Sequence, residues 1–133
     1  VSFEDILDCF IKKSLADNQL NKEVTFKVSA RTIQKAYKLK FIDLTGYKFV
    51  IRSREIRHIY KEHGKDVYLI KDLPMLLEKF YFIDRSNVTD EKTGKPIKSI
   101  IFKKRTNKND IKIVKTNMTK SNILRLKTLF EMV

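Results

Sequence analysis

The chain has one cysteine, Cys9, and that scarcity removes two classes of protein at once. An internal disulfide framework needs a second thiol, and a multi-cysteine zinc site needs more. Cys9 falls in an apolar helical pattern and reads as a small buried hydrophobe. Long hydrophobic runs are missing too: none approaches the ~18 residues of a membrane-spanning helix, and no signal-peptide pattern is present. Only three glycines and two prolines occur, with no long polar tract, so nothing reads as a flexible linker. The 133 residues therefore read as a single domain, 1–133, large enough to bury a core. A start at Val1 rather than Met fits a piece of a longer polypeptide.

Negative charge is also scarce where it matters. The net charge is +13, and lysine together with Asn, Ile, Phe and Tyr is enriched as in proteins of AT-rich genomes. Such bias would spread evenly, but the excess is local. Lys92 to Lys127 carries 12 basic residues against one acid, Asp110, a net of +11, while the remainder holds 17 basic and 15 acidic residues. A localised basic surface is the footprint of a polyanion, usually nucleic acid; an acidic protein or a membrane surface would use the same charge.

The chemistry-bearing stretch is KFVIRSREIRHIYKEHG, Lys48 to Gly64, which holds both histidines. Phe49-Val50-Ile51 reads as a strand. Ser53 stands where a helix N-cap belongs and Gly64 where a left-handed C-cap belongs. At about 100° per residue, Ile56, Ile59, Tyr60 and His63 form one stripe, and His58 lies about 140° from His63. His63 thus ends the packed face, as a helix-end histidine beside free carbonyls or as a general acid or base. His58 points outward among Arg54, Arg57 and Glu62. Two histidines so far apart on a helix make a poor metal pair, unlike an i, i+4 pair, and no carboxylate cluster accompanies them. No metal and no other cofactor is expected.

Around this stretch the apolar periods change along the chain. Phe3 to Ala16 is an amphipathic helix, with acids early and lysines late. Val24, Phe26 and Val28 alternate as in a half-buried strand. Ser29 caps a second helix with Ile33, Ala36, Tyr37 and Leu39 inward. A short helix from about Asp72 to Phe80 follows, with Leu73, Leu76, Leu77 and Phe80 inward and Pro74 in its first turn. Asp84 to Pro96 reads as polar loop. Ser99 to Lys104 reads as a strand, Arg105 to Asp110 as a hairpin turn, and Ile111 and Ile113, with Lys115, as one face of the returning strand. Asn122 to Val133 fits a helix through Ile123, Leu126, Leu129, Phe130 and Val133, or a strand through Leu124, Leu126, Thr128 and Phe130. The order of periods implies α+β: N-terminal helices packed on a mainly antiparallel β-sheet whose C-terminal strands form a basic meander.

GYKFVIRSREIRHIYKEHG resembles the signature of phage-associated members of the barnase–EndoU–colicin–RelE superfamily of RNases. Those proteins carry a strand, a helix of the form I-x-H-I-x-x-x-H-G, a leucine-rich helix and a basic meander ending in a strand with a hydroxyl residue. His58-Ile59, His63-Gly64 and Leu73-Pro74-x-Leu76-Leu77 match. Ile100 to Arg105, Ile111 to Lys115 and Leu124 to Phe130 would be the meander, with Thr128 as the hydroxyl. The match runs over residues 24–133 and leaves 1–20 as a helical extension. It favours the strand for the tail.

The resemblance implies a metal-independent endoribonuclease that uses the 2′-OH of RNA as nucleophile and leaves a 2′,3′-cyclic phosphate. It would act in a cytoplasm, its own or one it is delivered to, on RNA such as tRNA, and an inhibitor or immunity protein would accompany it. His63 is the first candidate for acid or base, with His58 behind it. Lys103 is a candidate for transition-state charge, and Thr128 comes from the resemblance alone. Lys104, Arg105, Lys112, Lys115 and Arg125 are candidates for phosphate binding; a solvated sheet face would explain them equally. A non-catalytic nucleic-acid-binding domain and an interaction domain of a larger phage protein remain open beside the nuclease.

Overall fold

The computed structural model describes residues 2–105, 110–119 and 121–132. In chain order the elements are α1 (Phe3–Ala16), β1 (Glu23–Lys27), α2 (Ala30–Lys40), β2 (Lys48–Arg52), α3 (Ser53–His63), a 3₁₀ segment (Gly64–Asp72), α4 (Leu73–Glu78), β3 (Phe82–Thr89), β4 (Pro96–Arg105), β5 (Ile111–Met118) and β6 (Ile123–Met132). The strands form one sheet in the order β1-β2-β6-β5-β4-β3. Neighbours are antiparallel except β2 and β6, which run parallel. This is the expected α+β class, with the C-terminal strands at the centre. No helix among the described residues is long and apolar enough to cross a membrane.

Helix α1 starts where Ser2 accepts a hydrogen bond from the Asp5 amide. Its buried stripe is Leu7, Ile11 and Ser14. That i, i+4, i+7 seam is narrower than the apolar pattern suggests and leaves Cys9 exposed, so Cys9 is not a core residue. Leu7 and Ile11 belong to the same core as the sheet, so α1 is integral to the packing. Helix α2 is capped by Ser29 as expected, yet Thr32 and Ala36 face inward while Tyr37 and Leu39 are exposed. The polar Thr32 can sit inside because its hydroxyl donates to the Leu77 carbonyl at 2.6 Å.

Strand β2 runs directly into α3. Arg52, not Ser53, occupies the cap position, and it pairs with Glu55. Ser53 is the first helical residue and is buried; its hydroxyl donates to the Lys22 carbonyl and accepts from the Lys22 amide. Gly64 ends the helix at φ 58°, the left-handed backbone that favours glycine.

Two other segments depart from expectation. Asp84 to Thr89, read as loop, continues β3 and pairs with β4 through Pro96. An edge strand tolerates polar residues on both faces, so its sequence lacks the alternation of a central strand. The tail is a strand throughout, against its helical propensity, because β2 and β5 flank it. Arg105 lies opposite Ile111, and the Asn-rich turn expected there, 106–109, lies outside the described residues.

The helices cover one sheet face. Phe49, Ile51, Ile83, Ile100, Phe102, Val114, Leu124, Leu126 and Leu129 point to them and form the core with Ile56, Ile59, Val67, Ile70, Leu73 and Leu77. The other face carries no helix. On it Val50 and Ile113 are buried outside that core, under longer neighbours.

Candidate nucleic-acid interface

Alternation along each strand, combined with the register, defines the helix-free face. One transverse row is Phe82, Lys103, Ile113 and Phe130. The next is Asp84, Ile101, Lys115 and Thr128, and the one after is Ser86, Ser99, Asn117 and Arg125. Thr128 reaches this face only through a bulge. Lys115 pairs with Thr128 but Thr116 with Leu126, so Lys127 is an extra residue in β6. The bulge shifts the pleat by one position. Thr128 therefore does not share the face of Leu124 and Leu126, as strict alternation would have it. It stands beside Lys115, and its hydroxyl is buried without a hydrogen-bond partner.

The same rule separates the cations. Lys103, Arg105, Lys115 and Arg125 belong to the helix-free face. Lys104 and Lys112 follow Phe102 and Val114 in alternation, so they lie toward the helix side, opposite each other in register, with Lys112 also opposite Glu131. The six candidate cations therefore divide between the two faces: Lys103, Arg105, Lys115 and Arg125 on one, Lys104 and Lys112 on the other. Each of three open-face cations stands by an aromatic ring. Lys103 lies 4.8 Å from the Phe82 ring centre, Arg105 5.3 Å from Tyr81, and Lys115 5.6 Å from Phe130. Such pairs hold a cation in place at little cost in solvation.

Helix α3 forms the margin of this face. β2 ends at Arg52, and α3 with the 3₁₀ segment continues beside β6; the Glu131 amide donates to Asp66 there. His63 stacks on Phe130, with ring centres 4.7 Å apart and planes 16° from parallel, and its side chain is 28% exposed. Tyr60, expected beside it in the packed stripe, is instead exposed. His58 is exposed as its helical position implies, but it does not point away from the basic surface. It lines a groove of about 370 Å³ with Arg52, Arg54, Glu55, Asn117, Arg125 and Lys127. Glu62 lies between the two rings, 3.3 Å from His58 Nε2 and 3.9 Å from His63 Nε2. The Glu62 carboxylate is thus within hydrogen-bonding reach of His58 and close to His63 at one margin.

The groove is rich in unused hydrogen-bonding capacity. Arg52 Nε, Glu55 Oε2, Asn117 Oδ1 and Arg125 Nε are all buried without a partner. Buried polar atoms are normally satisfied, so four unsatisfied ones on residues lining one groove mark it out. A larger hollow of about 530 Å³ lies between the end of α2 and β3–β4, lined by Phe41, Asp43, Arg85 and Lys98 among others. It has no histidine, and its Arg85 is engaged on the Phe41 carbonyl at 3.1 Å. The groove beside α3 is the better candidate for chemistry despite its smaller size.

The structure therefore brings His63, His58, Lys115, Thr128 and Arg125 to one margin. It leaves Lys103 on β4, two strand spacings or about 10 Å from β6, and sends Lys104 and Lys112 to the other side. Sequence reasoning missed Glu62, which its i, i+4 spacing from His58 could have flagged. It also missed Arg52, Asn117 and Phe130, whose roles depend on strand register. Among the described residues no group of three or more His, Cys, Asp or Glu is placed to hold a metal ion. No family model, no curated protein and no solved structure matches the chain.

Proposed function

We propose that this protein is an endoribonuclease that cleaves RNA by attack of the 2′-OH on the adjacent phosphate. One observation carries the reading: two histidines on either side of Glu62 border a helix-free basic sheet face that carries Arg125, Lys115 and Thr128. RNA brings its own nucleophile. What the protein must supply is a base for the 2′-OH, an acid for the leaving 5′-oxygen, and positive charge for the phosphorane. His58 and His63 are the residues of the right type for the two proton transfers. Arg125 lines the groove with His58, Lys115 stands over the Phe130 ring on which His63 stacks, and Thr128 pairs with Lys115 in register.

The deciding experiment is incubation with total RNA in excess EDTA. Cleavage with 2′,3′-cyclic phosphate ends is the expected result; intact RNA, or cleavage abolished by the chelator, overturns the reading. A second reading, RNA binding without cleavage, is favoured by the three cation–aromatic pairs, which form a binding surface in themselves. Tight, salt-dependent binding with no cleavage would select it.

The split of cations between faces yields a further expectation. Replacing Lys103, Arg105 and Lys115 together by Ala should weaken RNA binding and flatten its salt dependence by about three phosphate contacts. Replacing Lys104 and Lys112 should change neither much. Anisotropy titrations from low to high salt measure both; equal losses in the two variants would mean that face does not matter.

A further inference from the structure

We propose that the substrate is bound as a single strand that crosses the helix-free face from the histidine margin to the edge strand β3, where a base stacks on Tyr81 and Phe82. The inference rests on RNA being the partner and names the form it takes. Phe130 on β6 and Phe82 on β3 close the two ends of one transverse row, with Lys103 and Ile113 between them. Three strand spacings separate those ends, about 14 Å. Tyr81 precedes β3, is 45% exposed, and is tied to β4 by the hydrogen bond its N–H donates to the Lys103 carbonyl at 2.9 Å.

Each ring has a cation beside it: Tyr81, exposed at the start of β3, with Arg105, Phe82 with Lys103, and Phe130 with Lys115. A nucleotide in a single strand presents the matching pair, a base face and a phosphate. Stacking on such rings needs a base face free of its neighbours. A duplex hides those faces and offers only phosphate, sugar and groove edges. Lysines alone would have suited a duplex; the interleaved rings add area that a duplex cannot use. Because β3 is three strands from the histidines, this contact falls on a nucleotide away from the scissile bond. It would contribute affinity for oligonucleotides and nothing for a dinucleotide.

The test pairs binding with cleavage. Wild-type protein should bind a single-stranded decamer more tightly than a hairpin duplex of equal charge, by anisotropy at fixed salt. Tyr81→Ala combined with Phe82→Ala should weaken decamer binding ~10-fold or more, since stacking of a base is worth that much. Tyr81→Trp, which keeps a ring, should retain the affinity. Equal affinity for duplex and single strand, or full affinity in the double-Ala variant, overturns the proposal. Tight single-strand binding without any cleavage supports it while refuting the nuclease reading; cleavage with a preference for duplex does the reverse.

Discussion

His63→Ala is expected to lower single-turnover RNA cleavage by ~10²-fold or more while leaving RNA affinity nearly intact, because a positioned acid or base typically contributes 10²–10⁴. His58→Ala should lose a comparable factor. Helical geometry alone argues otherwise, since the two side chains leave α3 about 140° apart. The sheet changes the argument. His58 opens on the groove with Arg125 and Asn117, and His63 lies over Phe130, so a phosphate near Lys115 and Thr128 would have one ring on each side. Glu62 lies 3.3 Å from His58 Nε2 and 3.9 Å from His63 Nε2, so it can orient the His58 ring; Glu62→Gln should cost less than either histidine, because it would act only by positioning. Circular dichroism must show each variant folded. Loss for His63→Ala with wild-type rates for His58→Ala would restrict proton transfer to one histidine. Wild-type rates in both would remove this margin as the active site.

The legibility of this protein divides along the range of its interactions. Local signals were readable. Phe3 to Ala16, the Ser29 cap and the Gly64 terminus depend on neighbours within one turn, and the structure has them where the residues suggest. The segment Lys92 to Lys127 announced a basic surface by charge count alone. Facing was legible only in part: Ile56, Ile59, Leu73, Leu76, Leu77 and Phe80 are buried as their spacing implies, but other faces were misjudged. Tyr60, Tyr37, Leu39 and Cys9 are exposed because a helix buries only the stripe its partner covers, and the sequence shows the apolar pattern but not the width of the partner. Ser53 looked like a cap because it precedes a helical pattern; its hydroxyl is held by Lys22, 31 residues away. Asp84 to Thr89 looked like loop because an edge strand needs no alternation. The site suffers most from this limit. Its residues come from α3, β5 and β6, and their meeting depends on a register that no local pattern encodes.

Inserting one alanine between Thr128 and Leu129 should destabilise the protein by about 3 kcal/mol or more and abolish cleavage in whatever remains folded. Lys127 is the extra residue of β6, and Leu129 and Phe130 take their faces by alternation from Thr128, the residue after it. One more residue there would turn Leu129 toward solvent and carry Phe130 to the helix side. Leu129 is fully buried, so exposing it forfeits about 1.5–3 kcal/mol. Forcing the larger Phe130 into a filled core adds roughly 1–3 kcal/mol of overpacking. The same slip takes Phe130 from under His63, so site and core fail together. Deleting Lys127 is the opposite test. It removes the bulge, restores strict alternation, and leaves Thr128, Leu129 and Phe130 on their present faces, so that variant should cost far less than the insertion. Lys127→Ala should leave stability within about 0.5 kcal/mol, as exposed substitutions usually do. Urea titrations of the three variants, read with single-turnover cleavage, measure these effects. If the insertion melts and cleaves like the parent, the strand has re-registered at its end and alternation from Thr128 does not set the faces of Leu129 and Phe130.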